Sequence, residues 1–251
     1  MQGQDRPNSL GHLVERLAYR TKLSEDDRAA ILALPFTTRA VERNQFIVRE
    51  RDLATHTCVM LRGYSIRSKL VKTGHRQIVA VHMRGDVVDL ECSLLRVADH
   101  SVQMLTPGKV AMIPRDEIIR LTMERPSVAH AMWVDTLVDG SIFREWIANV
   151  GRRDARTRIA HILCEFAIRL RLAGLGENNR YEMPMTQEQL ADATGMTSVH
   201  VNRTLRGLEE EGLVERPHPR AIWIGDWRRL AEVGDFDTGY LHLREEDAAL
   251  S

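Results

Sequence analysis

The residues best suited to chemistry lie between positions 185 and 214, in the run MTQEQLADATGMTSVHVNRTLRGLEEEGLV. Ser198, Val199, Asn202, Arg203 and Arg206 fall on one side of a helix drawn through its second half. Their types suit the edges of DNA bases. Arg203 or Arg206 can fork onto guanine O6 and N7, Asn202 can pair with adenine, and Val199 can touch a thymine methyl. Thr186, Thr197 and His200 lie close by, and Arg216, His218 and Arg220 follow in a proline-rich turn. These six are assigned to phosphate oxygens, contacts that position a protein on a duplex without reading its sequence.

The surrounding pattern is that of two short helices joined by a tight turn. Thr186 and Gln189 form a capping-box start, and Leu190 and Ala191 are the buried positions of the first helix. Gly195 supplies the turn four residues after Ala191, and Val201 stands six further on to pack back against that alanine. The second helix, about 198–211, buries Val201, Leu205 and Leu208 and leaves the base-reading residues outside. Gly212 stops it. LVERPHPRAIWI then alternates as two short strands around Pro217 and Pro219, a wing, and Asp226 caps a last short helix holding Trp227 and Leu230. Upstream, Ile159, Ile162, Leu163, Phe166, Ala167 and Leu170 follow helical spacing until Gly174 and Gly176, and residues 177–184 are expected to be a polar loop.

With 251 residues and 43% apolar content, the chain can hold two cored domains. Ser24 and Asp27 open a short helix that ends before Pro35. Residues 36–114 carry short β-prone runs, FIVRE, CVMLRGYSI, QIVAVHM, DVVDL, HSVQML and KVAMIP, separated by turn residues at intervals that predict a small jelly-roll-like domain. Residues 126–150 predict one long helix with apolar residues on several faces. One face can pack on the β domain and another on a second copy of the chain, or both can be covered inside one core. Residues 151–154 break the pattern and are expected to be a hinge. The chain is thus α+β: a β-roll over 1–125, a dimerisation helix over 126–150 and a winged helix-turn-helix over 151–251.

Formal net charge is zero, so any nucleic-acid signal must be local. All four lysines (Lys22, Lys69, Lys72, Lys109) precede residue 110 and every later cation is arginine, which suits bidentate phosphate or guanine contacts or reflects arginine-rich codon usage. Cys58, Cys92 and Cys164 lack the spacing of a zinc site or a disulfide framework. No nucleophile elbow, phosphate loop, metal signature or dinucleotide fingerprint occurs, so no enzyme is expected. With no leader or membrane segment read, the expected setting is soluble and cytoplasmic.

The order of these parts resembles the Crp/Fnr family of bacterial transcription regulators over essentially the whole chain. The matching segments are VRERD at 48–52, with Arg51 where a glycine is usual, the hairpin GHRQI at 74–78, GRRDARTRIAHIL at 151–163, and the run 185–214. The ending DWRRLAEVGDFDTGYLHL is similar to a subgroup common in alphaproteobacteria. The resemblance implies a cyclic-nucleotide-binding-like β-roll acting as sensor, a homodimer, double-stranded DNA and RNA polymerase as partners, and an effector of unknown identity. An effector pocket would involve Arg84, Asp86, Asp89, Glu91, Arg96, His100 and Ser101.

The chain departs from the family's known sensing chemistries. Before the long helix only Cys58 and Cys92 are available, too few for an iron–sulfur cluster. A cyclic-nucleotide phosphate would meet Asp86, Asp89, Glu91 and Asp99 with the family's clamping arginine missing. Scattered histidines such as His75, His82 and His100 lack metal-motif spacing. No cofactor or metal is therefore expected. Val199 stands where many relatives carry a glutamate that reads cytosine, so the inherited DNA consensus does not transfer. A second function is a ligand sensor of the same fold, with a β-roll that needs an unknown effector and weak DNA binding of its own.

Overall fold

A computed structural model describes residues 10–177 and 179–248. Two compact units emerge: residues up to 69 with 80–140, and residues 70–79 with those from 141 onward.

The first unit opens with α1 (Gly11–Arg20) and α2 (Glu25–Leu32), then β1 (Thr37–Val41), β2 (Phe46–Val48), β3 (His56–Arg62), β4 (Ser65–Leu70), the end of β5 (Arg76–His82), whose start is grouped with the second unit, β6 (Ser101–Met104), β7 (Gly108–Pro114) and α3 (Arg115–Glu124). The first half of α4 (Pro126–Arg152) closes it. The strands form two antiparallel sheets, ordered β1-β7-β3 and β2-β6-β4-β5. Val41, Cys58, Met60, Val88, Val102, Met104 and Val110 make one buried cluster. A second joins Leu13 and Leu17 of α1, Ile31 of α2, Val59, Ile113, Ile118 of α3, and Val128 and Met132 of α4. Ser24 caps α2 with Asp27 in a reciprocal capping box.

Several expectations for this unit need correction. DVVDL is not a strand, because Asp86 and Asp89 turn their carboxylates onto the Met83 and Cys58 amides. Val87 keeps only an isolated bridge to Val59, and a 3-10 turn follows at Leu90–Ser93. The run CVMLRGYSI, by contrast, divides into two strands at its turn signal Arg62-Gly63, where the Gly63 φ of +85° lies in a region that would strain a side chain. Helix α1 was not singled out in the sequence, although Leu10, Leu13, Val14 and Leu17 recur at i, i+3, i+4 and i+7 and bury its inner face. Arg51 has φ +75°, the left-handed backbone that explains why glycine is usual there.

The second unit holds the rest of α4, then α5 (Ala155–Leu172), β8 (Gly176–Glu177), β9 (Arg180–Glu182), α6 (Gln187–Thr194), α7 (Ser198–Glu210), β10 (Val214–Glu215), β11 (Ala221–Ile224), α8 (Trp227–Val233) and α9 (Glu245–Ala248). The expected polar loop at 177–184 contains a hairpin, whose β9 extends the wing into a sheet ordered β10-β11-β9-β8. Tyr181 is the reason: it is buried and its hydroxyl donates to Leu163 O at 2.7 Å.

The break expected at 151–154 is narrower than that, because Gly151 and Arg152 continue α4 and only Arg153 and Asp154 leave the helix; Asp154 caps α5, and the joint is stapled. Trp146 Nε1 donates to both oxygens of the fully buried Glu165 at 2.9 and 3.1 Å. Arg169 (2.9 Å) and the Tyr240 hydroxyl (2.8 Å) complete that carboxylate's partners. His161, also fully buried, lies 3.1 Å from both Tyr240 Oη and Gly234 O, and Phe236 and Tyr240 pack on its ring. Arg153 pairs with Glu145 at 2.7 Å and Asp235 at 3.0 Å. A Cβ at position 234 would stand 2.7 Å from His161 N, so only glycine lets the chain pass this close to α5.

Tyr240→Phe removes one donor from the buried carboxylate and should destabilise the protein by about 1–3 kcal/mol. Urea unfolding followed by circular dichroism checks this; an unchanged midpoint would show that the C-terminal segment contributes no stability through this hydroxyl.

Candidate nucleic-acid interface

Helices α6 and α7 are positioned by local chemistry that the sequence displays. The Thr186 hydroxyl accepts from Gln189 N at 3.3 Å while Gln189 Oε1 accepts from Thr186 N at 2.9 Å. Gly195 ends α6 in the left-handed conformation, φ +67°, and Thr197 caps α7 by accepting from His200 N at 3.2 Å. Val201, Leu205 and Leu208 are buried.

That arrangement leaves the opposite side of α7 outward. Ser198, Val199, Arg203 and Arg206 are exposed, Val199 at 78%, while His200 and Asn202 are half-buried. Arg203 and Arg206 have no ion pair among the described residues. Asn202 is held, its Nδ2 donating to Gln187 Oε1 at 2.9 Å. Gln187 was not singled out in the sequence, where a polar residue at the first position of a helix carries no distinguishing signal. Only the folding of α6 against α7 brings it to Asn202.

The phosphate candidates divide. Thr186 and Thr197 accept from backbone amides as caps, which leaves each hydroxyl hydrogen to donate outward. The wing cations have partners inside the protein instead. Arg216 pairs with Glu209 and its side chain is only 11% exposed, His218 pairs with Glu182 at 2.9 Å, and Arg220 donates to Met183 O at 3.1 Å. Their positions hold the wing to α7 and β9, because the carboxylates of Glu209 and Glu182 lie across from them.

The effector-pocket candidates do not converge. Asp86 faces α1, where Arg16 gathers Asp86 (2.6 Å), Asp135 (2.9 Å) and Asp139 (3.2 Å). Arg96 is exposed and Arg84 half-buried. Ser101 Oγ accepts from Glu50 N at 3.0 Å. Asp89, Glu91 and His100 do surround an arginine, but it is Arg67 from β4, which no motif or spacing placed there. Arg67 Nη2 donates to Val88 O at 2.7 Å and pairs with Glu91 at 2.9 Å, and His100 Nε2 lies 3.7 Å from Glu91. Burial pushes Asp89 up to about 7, against the opposing pull of the Cys58 amide. Burial also pushes the Cys58 thiol up and Cys92 up to about 12, so both stay protonated. Among the described residues no three His, Cys, Asp or Glu side chains are grouped as metal ligands.

Comparison with known proteins agrees with this geometry. Residues 38–125 match the cyclic nucleotide-binding domain and residues 157–233 the Crp-like helix-turn-helix domain. The probable transcriptional regulator flp of Lacticaseibacillus casei is 30% identical over 196 residues, 77% of this chain and 85% of that one. The chain belongs to the Crp/Fnr family of transcription regulators. FnrL of Cereibacter sphaeroides, a transcriptional activator, is 25% identical over 207 residues, 81% of this chain and 83% of its own. The structure of FixK2 from Bradyrhizobium japonicum superposes with a TM-score of 0.74 at 24% identity, over 80% of this chain and 98% of that one. As a Crp/Fnr member the protein is a DNA-binding regulator of transcription, with a β-roll of the cyclic-nucleotide-binding fold. No helix among the described residues is long and apolar enough to cross a membrane.

The Asp89 carboxyl gives the β-roll a pH signature. Its pKa is near 7 when folded and about 4 when unfolded, so between these values the folded state holds a proton that the unfolded state has lost. Its contribution to stability therefore falls as pH rises from about 4 to 7 and stays lost above. Asp89→Asn keeps an oxygen for the Cys58 amide and should gain stability over the parent at pH 8 relative to pH 5. Thermal unfolding at the two pH values checks this, and an identical difference at both would remove Asp89 as the titrating group.

Proposed function

We propose that this regulator is a homodimer that reads an inverted-repeat DNA site in the major groove through Ser198, Val199, Asn202, Arg203 and Arg206. The observation that carries the reading is the outward side of α7, where an apolar Val199 stands 78% exposed beside two arginines that have no ion pair among the described residues. Such a face is complementary to base edges: guanidinium forks for guanine, a branched alkyl group for a thymine methyl. Thr186, Thr197 and His200 are the phosphate contacts of first choice. Arg216, His218 and Arg220 hold the wing and approach the backbone secondarily.

Dimerisation rests on α4. Trp133, Leu137 and Ile147 are 66%, 56% and 72% exposed, and with Gly140 and Arg144 they recur at steps of four and three. That is the spacing of a helix seam covered by its own copy. Two-fold pairing sets half-sites one helical turn apart, about 34 Å. In the β-roll, Arg67 is already neutralised by Glu91, which supports DNA binding without a cyclic nucleotide. Relatives named as activators support RNA polymerase as the downstream partner, and the setting is the cytoplasm, where the DNA is.

Selection from random duplexes with the purified full chain should enrich an inverted repeat. Arg203→Ala should cost about 1–3 kcal/mol on that site and relax one G·C position; unaltered preference at every position would remove Arg203 from the reading set. For the seam, Leu137→Asp should shift the protein to monomer in sedimentation equilibrium and weaken binding to the repeat. A variant that stays dimeric would put the interface elsewhere.

A further inference from the structure

We infer that Gln187 is a positioning residue for base readout, fixing the amide of Asn202 in one orientation and tying it to the DNA backbone. This rests on the reading of α7 as the recognition helix.

Gln187 is the first residue of α6, directly after its cap Thr186, and Asn202 lies in the second turn of α7. The turn at Gly195 brings the two side chains together, Asn202 Nδ2 donating to Gln187 Oε1 at 2.9 Å. Both residues are half-buried, so their bond sits at the rim between the helices rather than on an open surface.

An isolated asparagine amide is a poor reader. Its last torsion is soft, and its oxygen and nitrogen ends present opposite patterns. Adenine demands one pattern only, a donor toward N7 and an acceptor toward the N6 amino group. The bond to Gln187 resolves the choice. With one Nδ2 hydrogen engaged, Asn202 retains its oxygen and its second hydrogen for adenine, and rotating the amide by half a turn would set Oδ1 against Oε1.

Gln187 needs a reason of its own to keep its oxygen toward Asn202, and its location provides one. Its Nε2 hydrogens remain for a partner at the start of α6, beside the Thr186 hydroxyl and the first-turn amides, where a phosphate is favoured. A phosphate that holds Nε2 leaves Oε1 for Asn202. Backbone contact and base reading are thus linked through one hydrogen bond, and a phosphate out of place would loosen the discrimination as well as the affinity.

The test measures binding of the full chain to the selected duplex and to duplexes substituted at each half-site position. Asn202→Ala should lose about 5- to 100-fold of discrimination at one A·T pair. Gln187→Leu should lose most of that discrimination at the same pair, and the double variant should lose no more than Asn202→Ala alone. Gln187→Glu keeps an acceptor for Asn202 but sets a negative charge near phosphate, so it should retain the A·T preference while binding every sequence more weakly. Thermal melting of each variant separates these effects from loss of fold. If Gln187→Leu keeps the preference that Asn202→Ala abolishes, the inference is overturned. If Asn202→Ala changes no preference, the inference falls with the assignment of Asn202, while the Arg203 variant reports independently on whether α7 reads DNA.

Discussion

The buried carboxylate of Glu165 is the interaction on which the second unit depends. It is fully buried on α5 and accepts from Trp146 on α4, from Arg169 on its own helix and from Tyr240 in the C-terminal segment. A carboxylate in that position is tolerable only if nearly all of its lone pairs are used, so the three partners are required together rather than merely available. The consequence is geometric. Three segments far apart in sequence must meet at one point, and α5 carries the packing of α7 and α8. The direction in which the outward side of α7 looks is therefore set by a charge that none of the proposed base-reading residues touches.

The same economy governs the arginines. With 35 basic and 35 acidic residues the chain has no net charge to draw it to DNA, and several of its guanidinium groups are committed to partners within the protein. Arg16 bridges three aspartates, Arg67 pairs with Glu91, Arg153 links Glu145 to Asp235, and Arg216 pairs with Glu209. Against that background Arg203 and Arg206, like the exposed Arg43, Arg96 and Arg152, have no ion pair among the described residues, and they are set apart by lying together on the outward side of α7. An exposed guanidinium keeps its full set of donors for a partner, whereas a paired one must first give up a carboxylate, at a cost that exposed ion pairs do not carry. A neutral protein can in this way present a local basic face while its remaining cations stabilise the fold.

How far the fold was legible follows from where each signal resides. Helices α6 and α7 were readable because their determinants are local: a capping box at Thr186 and Gln189, a left-handed glycine at 195, and apolar residues at helical spacing. The α4–α5 break was readable for the same reason, as Asp154 caps within four residues of the disruption. What escaped was non-local. Arg67 reaches Glu91 across the β-roll, Arg216 reaches Glu209 from the wing, and Tyr240 returns to α5 over a separation of 75 residues. No period or cap encodes such pairings. The β8–β9 hairpin was missed for a different reason: its strands are two and three residues long, too short for alternation to show. DVVDL failed because hydrophobicity suggested a strand while two aspartates claimed backbone amides for a turn.

Helix α4 shows how one element can serve incompatible surroundings. Val128, Met132 and Val138 are buried in its first two-thirds, Trp146 near its end, and Trp133, Leu137 and Ile147 face out between them. A helix apolar on a single stripe is satisfied by one neighbour, but this one is apolar on two sides, of which the described residues cover one. Trp146 and Ile147 are adjacent and point opposite ways, the indole into the Glu165 cluster and the isoleucine to the outer stripe. Under the proposed dimer the seam and the stapled joint therefore meet within one helical turn. Because Trp146 and Ile147 are adjacent on one helical backbone, a shift of that backbone along the seam at Ile147 would displace Trp146 as well. It would be resisted by the hydrogen bonds of Glu165 rather than absorbed by a loose hinge.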